Sequence, residues 1–131
     1  MIFSASVLII CGISARAIEK YGKDGVLIGI ERCEDTAKGL AMGARDYFAK
    51  VIVETNTMKI LGAHIIGPYA SVLVQEIINI MYTPTLSAKP IIEGMRIYPA
   101  LSEVVQRAFR DLMPPAQYHH VIKEHYKLSM K

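Results

Sequence analysis

One segment of this chain carries side chains whose types and spacing could do acid–base chemistry. It is Arg96-Ile-Tyr-Pro-Ala-Leu-Ser-Glu103, in which Tyr98 stands immediately before Pro99. A proline suits the start of a helix, and Glu103 would fall in the first turn, where the helix dipole favours a carboxylate. A tyrosine and a carboxylate held close together can form an acid or hydrogen-bond donor pair. The same residues also suit ordinary helix initiation, so both interpretations stay open.

A second group of chemically active side chains lies near the carboxyl terminus, at His119, His120, Glu124 and His125. On a helix, His120 and Glu124 would share a face that could offer metal ligands. The spacing matches neither H-E-x-x-H nor H-x-x-E-H. We therefore predict a solvated tail without a metal site and keep metal binding as an alternative.

The composition is that of a globular domain. The chain has 131 residues, of which 52% are hydrophobic and 21% charged, with a net charge of +3. Lysines and arginines are scattered, which gives nucleic-acid binding little support. The apolar run Ile2 to Ile13 is too short to span a bilayer and lacks the features of a signal peptide. It predicts a buried strand in a cytoplasmic protein with no membrane contact. Cys11 and Cys33 are predicted to be reduced, mostly buried thiols.

The elements that must position these side chains centre on a predicted hairpin. Alternating apolar residues predict strands in Phe48 to Glu54 and in Lys59 to Ile66. Thr55, Asn56 and Thr57 interrupt the pattern, as residues that bond their own backbone do in turns. His64, inside the second strand, is predicted to be a hydrogen-bonded core or edge histidine.

The helix predicted for Ala70 to Tyr82 is apolar over more than half of its circumference. A helix that covers one sheet needs an apolar stripe of only about 100°. The excess predicts a second buried surface, formed by another part of this chain or by another chain. The residues that make up this wide face are Leu73, Val74, Ile77, Ile78, Ile80 and Met81.

The remaining segments complete an α+β pattern. We predict an antiparallel sheet with helices packed on one face, in two layers. The domain is predicted to cover residues 1–112, and residues 113–131 form a tail that is either an amphipathic helix or loose chain. The other predicted elements are a strand at Val7 to Ile13, a helix at Ala15 to Tyr21 that Ser14 caps, a strand at Val26 to Ile30, a loop or irregular strand at Glu31 to Arg45, a helical turn near Ile91, Ile92 and Met95, and a helix from Pro99 to about Leu112.

Phosphate-binding signatures are missing from the sequence. Gly39-Leu-Ala-Met-Gly43 has the wrong spacing for a phosphate loop and no following Lys-Ser or Lys-Thr. No nucleophile elbow occurs either. We therefore expect the isolated chain to bind no nucleotide cofactor.

Three segments in this order and spacing resemble one family. Lys50-Val-Ile-Val-Glu54, Ile60-Leu-Gly-Ala-His-Ile-Ile-Gly-Pro68 and Tyr98-Pro-x-Leu-Ser-Glu103 resemble the C-terminal dimerisation, or interface, domain of the pyridine nucleotide–disulfide oxidoreductases. Dihydrolipoamide dehydrogenase, glutathione reductase and mercuric reductase belong to that family. Gly12 to Ser14 and Glu34 to Gly43 share the likeness, which covers roughly Ile2 to Leu112.

The resemblance implies a function in a larger enzyme. Enzymes of this family are homodimers that contain FAD and pass electrons between NAD(P)H and a dithiol, a disulfide or a metal ion. Their interface domain follows the FAD and NAD domains, supplies most of the dimer contact, and lends residues to the partner subunit's active site. A homodimer contact would account for the wide apolar face of the 70–82 helix.

The chain departs from the family at its site residues. Members that use dithiols have a histidine before the proline, and this histidine forms an acid–base pair with the glutamate. This chain has Tyr98 there and retains Pro99 and Glu103. Tyrosine, with a reference pKa of about 10, is a poor base at neutral pH. Mercuric-reductase-like members also carry tyrosine in this region, but their terminal cysteine pair is absent from this tail. The resemblance thus implies catalytic roles for Tyr98 and Glu103 only in the complete enzyme.

The function expected from these observations is that of an interface domain of an FAD- and NAD(P)-dependent dithiol–disulfide oxidoreductase. The complete enzyme would be similar to dihydrolipoamide dehydrogenase or mercuric reductase, and the domain would be inactive alone. The partners expected are a second copy of the chain and the FAD and NAD domains. A free-standing homodimerisation module without redox activity is the alternative.

Overall fold

The computed structural model describes residues 6–10 and 14–129, and describes side chains for residues 16–124. The described strands form an antiparallel five-stranded sheet in the order β1-β4-β3-β2-β5. The elements are β1 Ser6–Ile10, α1 Ser14–Tyr21, β2 Val26–Arg32, a 3-10 turn Cys33–Asp35, α2 Ala37–Ala41, β3 Phe48–Glu54, β4 Ile60–Gly67, α3 Ala70–Met81, α4 Lys89–Glu93, α5 Glu103–Arg110, β5 Leu112–Met113 and α6 Pro115–Ser129.

The hairpin of β3 and β4 is the centre of the sheet, as predicted. Val51 pairs with Ala63 and Ala49 with Ile65, so small and β-branched side chains face the same side. The register shifts between Ile52 and Val53, as at a β-bulge. β1 then pairs with the outer edge of β4, and β2 with the free edge of β3.

One face of the sheet carries the larger core. The odd-numbered residues of β3 point to this face, where α3, α4 and α5 cover them. Full burial of one such aliphatic or aromatic side chain is worth about 1.5–3 kcal/mol before entropy is subtracted. The fully buried side chains of this layer include Val51, Val53, Ile65, Val74, Ile77, Ile91, Val104, Val105 and Phe109.

The opposite face carries a smaller cluster. Val26, Ile28 and Ile52 pack there against Ala17 of α1, and Tyr118 of α6 lies against the same cluster. The α+β class with an antiparallel sheet is confirmed. The predicted layer of helices on one face corresponds to the larger core, and α1 and α6 add cover on the other.

The helix predicted from Pro99 to Leu112 is shorter in the structure. The Tyr98–Pro99 peptide is cis, and tight turns follow, with Glu103 N–H donating to the Ala100 carbonyl. α5 therefore begins at Glu103 and ends at Arg110, after which Leu112 pairs with Gly29 of β2. α5 also crosses β2 so closely that a Cβ on Gly29 would lie only 1.7 Å from the Ala108 carbonyl oxygen.

The segment from Glu31 to Arg45, predicted as a loop or irregular strand, is more ordered than expected. β2 continues to Arg32, and a 3-10 turn and α2 follow. Thr36 is buried and starts α2, with its hydroxyl accepting from Gly39 N–H at 3.1 Å and donating to the Cys33 carbonyl at 2.7 Å. Such a cap satisfies helix N–H groups that would otherwise be unpaired.

Several shorter predictions can be compared with the structure. The predicted first strand, Val7 to Ile13, overlaps β1 at residues 7–10, and its residues 11–13, with Cys11, lie outside the described residues. Cys33 is a buried free thiol, as predicted, and burial raises its pKa to about 11. Gly22 ends α1 with φ of +78°, a conformation that favours glycine. The helical alternative for the tail is the one found, as α6.

Candidate functional site

Tyr98 lies in the loop between α4 and α5 and faces solvent. Its side chain is 69% exposed, and the hydroxyl has no hydrogen bond to any residue in the described part of the chain. Its neighbours Met95 and Ile97 are 99% and 82% exposed. Three large side chains within four residues are thus left uncovered at the surface.

Glu103, the other predicted site residue, is held by its own helix. Its Oε1 accepts a hydrogen bond from Nε of Arg107 at 2.9 Å and lies 2.7 Å from Nη2 of the same guanidinium in an ion pair. Its Oε2 is buried and has no hydrogen-bond partner among the residues that the structure describes. The structure therefore places Tyr98 and Glu103 in one short segment but shows no hydrogen bond between them.

Arg107 is a site residue that the sequence analysis missed. Besides Glu103, it reaches β2 and the 3-10 turn, since its Nη1 lies 3.3 Å from Glu31 Oε1 and 3.1 Å from the Asp35 carbonyl oxygen. The two carboxylates raise the pKa of Arg107, outweighing the opposing effect of burial. Its spacing of four from Glu103 was a signal in the sequence, because such pairs meet on a helix surface. Nothing in the sequence pattern indicated Glu31.

A set of exposed large side chains lies on α3, at the two ends of α3 and on the loop before α5. We call this set the apolar surface, and its members are Tyr69, Val72, Tyr82, Met95, Ile97 and Tyr98. All six residues of the wide apolar face predicted for α3 pack against one core of this chain. Leu73, Val74 and Ile77 are buried there, and Ile78, Ile80 and Met81 are partly buried against it. Val72, which is not one of these six residues, is 67% exposed.

The loop that carries Met95, Ile97 and Tyr98 is held in place by hydrogen bonds from α5 to the residues just before it. The amide nitrogen of buried Gln106 donates to the carbonyls of Ile91, Ile92 and Gly94 at 3.0, 3.3 and 2.7 Å. Arg110 donates to the Ile92 carbonyl through Nε and Nη2. Gln106 and Arg110 both belong to α5. They therefore hold the amino-terminal end of the loop to the core.

Lys50, His64 and Tyr118 form a group on the second face of the sheet. Lys50 and His64 are paired across β3 and β4, and the Lys50 ammonium lies 4.5 Å from the centre of the Tyr118 ring. Burial lowers the pKa of His64, and the charge of Lys50 lowers it further. His64 Nε2 is buried and has no hydrogen-bond partner within residues 6–10 and 14–129, so the predicted hydrogen bond of this histidine is not found there.

The tail histidines lie on α6. His120 Nε2 is 3.8 Å from Glu124 Oε1, and both side chains are exposed. Within the side chains described for residues 16–124, no group of three or more histidine, cysteine, aspartate or glutamate residues could hold a metal ion. The His125 side chain lies outside that range, so the metal-binding alternative remains a prediction.

The residues from Gly39 to Gly43 do not suit a nucleotide phosphate. Gly39 is buried inside α2, where a Cβ would lie 1.7 Å from the Cys33 carbonyl oxygen, so its lack of a side chain serves internal packing. α2 has five residues and its cap is already occupied by Thr36. This segment therefore offers no site for the phosphates of FAD or NAD(P). As for membranes, none of the helices in the described ranges is long and apolar enough to cross one.

Together, the antiparallel sheet, the helical layer and the exposed side chains beside a tyrosine–proline turn define an α+β domain. Comparison with protein families supplies the particular family. Residues 2–109 match the model of the pyridine nucleotide-disulphide oxidoreductase dimerisation domain. Because this match covers most of the chain, the protein belongs to that family.

Individual relatives agree with this assignment. A dihydrolipoyl dehydrogenase of Chlamydia trachomatis is 42% identical over 67 residues, which are 51% of this chain and 14% of the relative. A dihydrolipoyl dehydrogenase of Synechocystis is 33% identical over 98 residues, 73% of this chain and 20% of the relative. A mycothione reductase of Mycobacterium tuberculosis is 36% identical over 87 residues, 66% of this chain and 19% of the relative. The chain thus spans about a fifth or less of the length of these relatives.

A solved structure has the same fold. The crystal structure of LpdA from Mycobacterium tuberculosis superposes with a TM-score of 0.66 at 19% sequence identity. The superposition covers 81% of this chain and 24% of that one. α6 lies beyond the end of the family match at residue 109.

Proposed function

We propose that this chain is the interface domain of an FAD- and NAD(P)-dependent dithiol–disulfide oxidoreductase, and that it forms a homodimer. The observation that supports this best is the apolar surface. Large exposed side chains that lie together mark an interaction site, and the Arg96–Glu76 ion pair brings the loop and α3 that carry these side chains into contact. The family to which the chain belongs supports a second copy as the partner.

The homodimer is tested most directly by sedimentation. We expect sedimentation velocity of the purified chain at micromolar concentration to give twice the chain mass of 14.6 kDa. A strictly monomeric, well-folded protein across the accessible concentration range would contradict the proposal. Circular dichroism on the same sample separates a folded monomer from an unfolded one.

The cofactors of the proposed enzyme belong to its other domains. FAD and NAD(P)H would supply the electron-transfer chemistry there, and this domain would supply the dimer contact and the Tyr98–Glu103 segment. We propose that the isolated chain has no NAD(P)H-dependent disulfide reductase activity. Stoichiometric flavin in the purified chain, seen as its visible absorption, would contradict this.

Within the complete enzyme, Tyr98 and Glu103 are proposed to serve the partner subunit's site. The exposed position of Tyr98 supports this, because its hydroxyl is free to meet another chain. The proposed enzyme is similar to dihydrolipoamide dehydrogenase or mercuric reductase and is cytoplasmic. Residues 1–112 form its interface domain, with residues 113–131 as a carboxyl-terminal tail.

A free-standing homodimerisation module is the second candidate. It is favoured by α6, which continues beyond the family match and covers part of the second face of the sheet. The upstream coding sequence discriminates between the two. An in-frame G-x-G-x-x-G and C-x-x-x-x-C would support a piece of a larger enzyme, whereas a start codon with its own ribosome site would support the module.

A further inference from the structure

The carboxylate that the proposed site depends on is already occupied. The hydrogen bond from Nε and the ion-pair contact from Nη2 of Arg107 both end on Glu103 Oε1, and Nη1 of the same guanidinium contacts Glu31. We call Glu103, Arg107 and Glu31 the charged triad. A guanidinium with its nitrogens fixed on two elements is a rigid, permanently charged partner. The triad thus joins the start of α5 to the end of β2.

We infer that Arg107 is a specificity-determining residue, because it neutralises Glu103 and so withholds that carboxylate from the side chain at position 98. This inference rests on the proposed pairing of position 98 with Glu103. A carboxylate raises the proton affinity of a nearby imidazole only when its charge is not already compensated. With Arg107 in place, Glu103 gives little support to a base at position 98.

The geometry of Glu103 supports this assignment. Oε1 takes both contacts from Arg107, the hydrogen bond from Nε and the ion pair with Nη2, and Oε2 is buried with no hydrogen-bond partner in the described part of the chain. A buried carboxylate oxygen without a donor is unfavourable, and the adjacent guanidinium charge is what makes its burial tolerable. Glu103 therefore presents its charge to Arg107 through Oε1, while its second oxygen is buried.

The neighbouring charges do not replace Arg107 in this role. Burial raises the pKa of Glu31, Arg107 opposes this, and Asp35 and Asp111 add smaller increases. Arg96, in the loop beside Tyr98, is engaged with Glu76 of α3 at 2.6 Å. Arg110 donates to a backbone carbonyl instead of a carboxylate. Among the described side chains, Arg107 alone is hydrogen-bonded to Glu103.

The test places an imidazole at position 98 as a reporter in the full chain. Proton affinity of that imidazole is measured by NMR titration in Tyr98→His, in Tyr98→His with Arg107→Gln, and in Tyr98→His with Arg110→Gln. Removing Arg107 should increase proton affinity about tenfold or more relative to Tyr98→His alone, because an uncompensated carboxylate nearby favours the imidazolium by at least that factor. The Arg110→Gln control removes the same charge from α5 without touching Glu103 and should change the affinity much less.

Two further variants keep the result unambiguous. Adding Glu103→Gln to the Arg107→Gln protein should abolish the increase. If Arg107→Gln unfolds the chain by leaving Glu31 unpaired, the same titration in a Glu31→Gln background removes that cause. An equal proton affinity with and without Arg107 would overturn the inference. Sedimentation of each variant reports the dimer separately, so failure of this inference is distinguishable from failure of the proposed assembly.

Discussion

Arg96 Nη1 lies 2.6 Å from Glu76 Oε2, and this ion pair connects the two parts of the apolar surface. Arg96 stands between Met95 and Ile97 in the loop, and Glu76 lies on α3 one turn after Val72. Burial raises the pKa of Glu76, and the Arg96 guanidinium opposes this. The pair fixes the loop to the helix before any partner binds, which reduces the ordering cost of association.

The apolar surface should lose its partner when it receives a charge. We expect Val72→Asp and Ile97→Asp each to weaken self-association about tenfold or more, because an aspartate buried without a partner is costly. Sedimentation across a concentration series measures the change. Leu40→Asp is the matched control, since Leu40 is 71% exposed on α2 outside the apolar surface. Equal weakening by all three variants would argue against this surface as the contact.

Gln106 should contribute to stability out of proportion to its size. Its buried amide donates to carbonyls in α4 and the loop that follows, and Gln106→Leu leaves those carbonyls without that donor. The expected loss is about 1–3 kcal/mol in the free energy of unfolding, the usual cost of an unsatisfied buried polar group. Urea unfolding measures it. A Gln106→Leu protein as stable as the wild type would show that water replaces the amide.

Much of this fold could be predicted from local pattern. The β3–β4 hairpin and α3 were predicted nearly to the residue, because alternation and helical periodicity are each sustained there over seven or more residues. β5 was missed because two residues carry no period. It exists only because Leu112 meets the edge of β2, a contact set by the fold as a whole.

The candidate site was predicted in part. Residue types and spacing singled out Tyr98 and Glu103 and correctly placed Glu103 in the first turn of α5, and the resemblance added their expected roles. Whether Tyr98 and Glu103 bond to each other was not predictable from the sequence. Glu103 is engaged by Arg107, and the position of Arg107 depends on its contact with Glu31, which joins α5 to β2. Contacts between residues 76 positions apart have no local signature.

Stability should fall as the pH drops through the range in which histidine titrates. His64 has a pKa below its ordinary value in the folded chain, so the unfolded chain binds the proton more tightly. The contribution of His64 is therefore fully present above its unfolded pKa, about 6.5, and is lost as the pH falls through the folded pKa. Urea midpoints at pH 7.5 and 5.5 should differ less in His64→Phe than in the wild type. Lys50→Met removes the Lys50 charge, which is the second cause of the lowered His64 pKa. This variant should therefore reduce the difference between the two urea midpoints in part. An unchanged difference in His64→Phe would contradict this.

Arg107 should matter more to stability at neutral pH than in acid. Glu31 has a raised pKa, so its protonated form favours folding below its unfolded pKa and that advantage is lost as the pH rises through the folded pKa. Arg107→Ala removes the charge that opposes this increase. We expect a loss of about 1–3 kcal/mol at pH 7 and a smaller loss at pH 4.5. Urea unfolding at both pH values measures this, with Arg110→Ala as the control. A loss that does not depend on pH would mean that only packing was removed.

The side chain at position 98 should set the reaction of the complete enzyme. A phenol is a poor base near neutral pH, whereas an imidazole takes and returns a proton there, as dithiol exchange requires. We therefore expect the longer enzyme to oxidise dihydrolipoamide-type dithiols slowly, Tyr98→His to raise that rate, and added Arg107→Gln to raise it further. Tyr98→Phe should slow whichever native reaction uses the hydroxyl and leave the dimer intact. Steady-state kinetics with dithiol, disulfide and metal-ion acceptors, beside sedimentation of each variant, measures both effects. Unchanged rates with every acceptor would assign Tyr98 to packing at the subunit boundary.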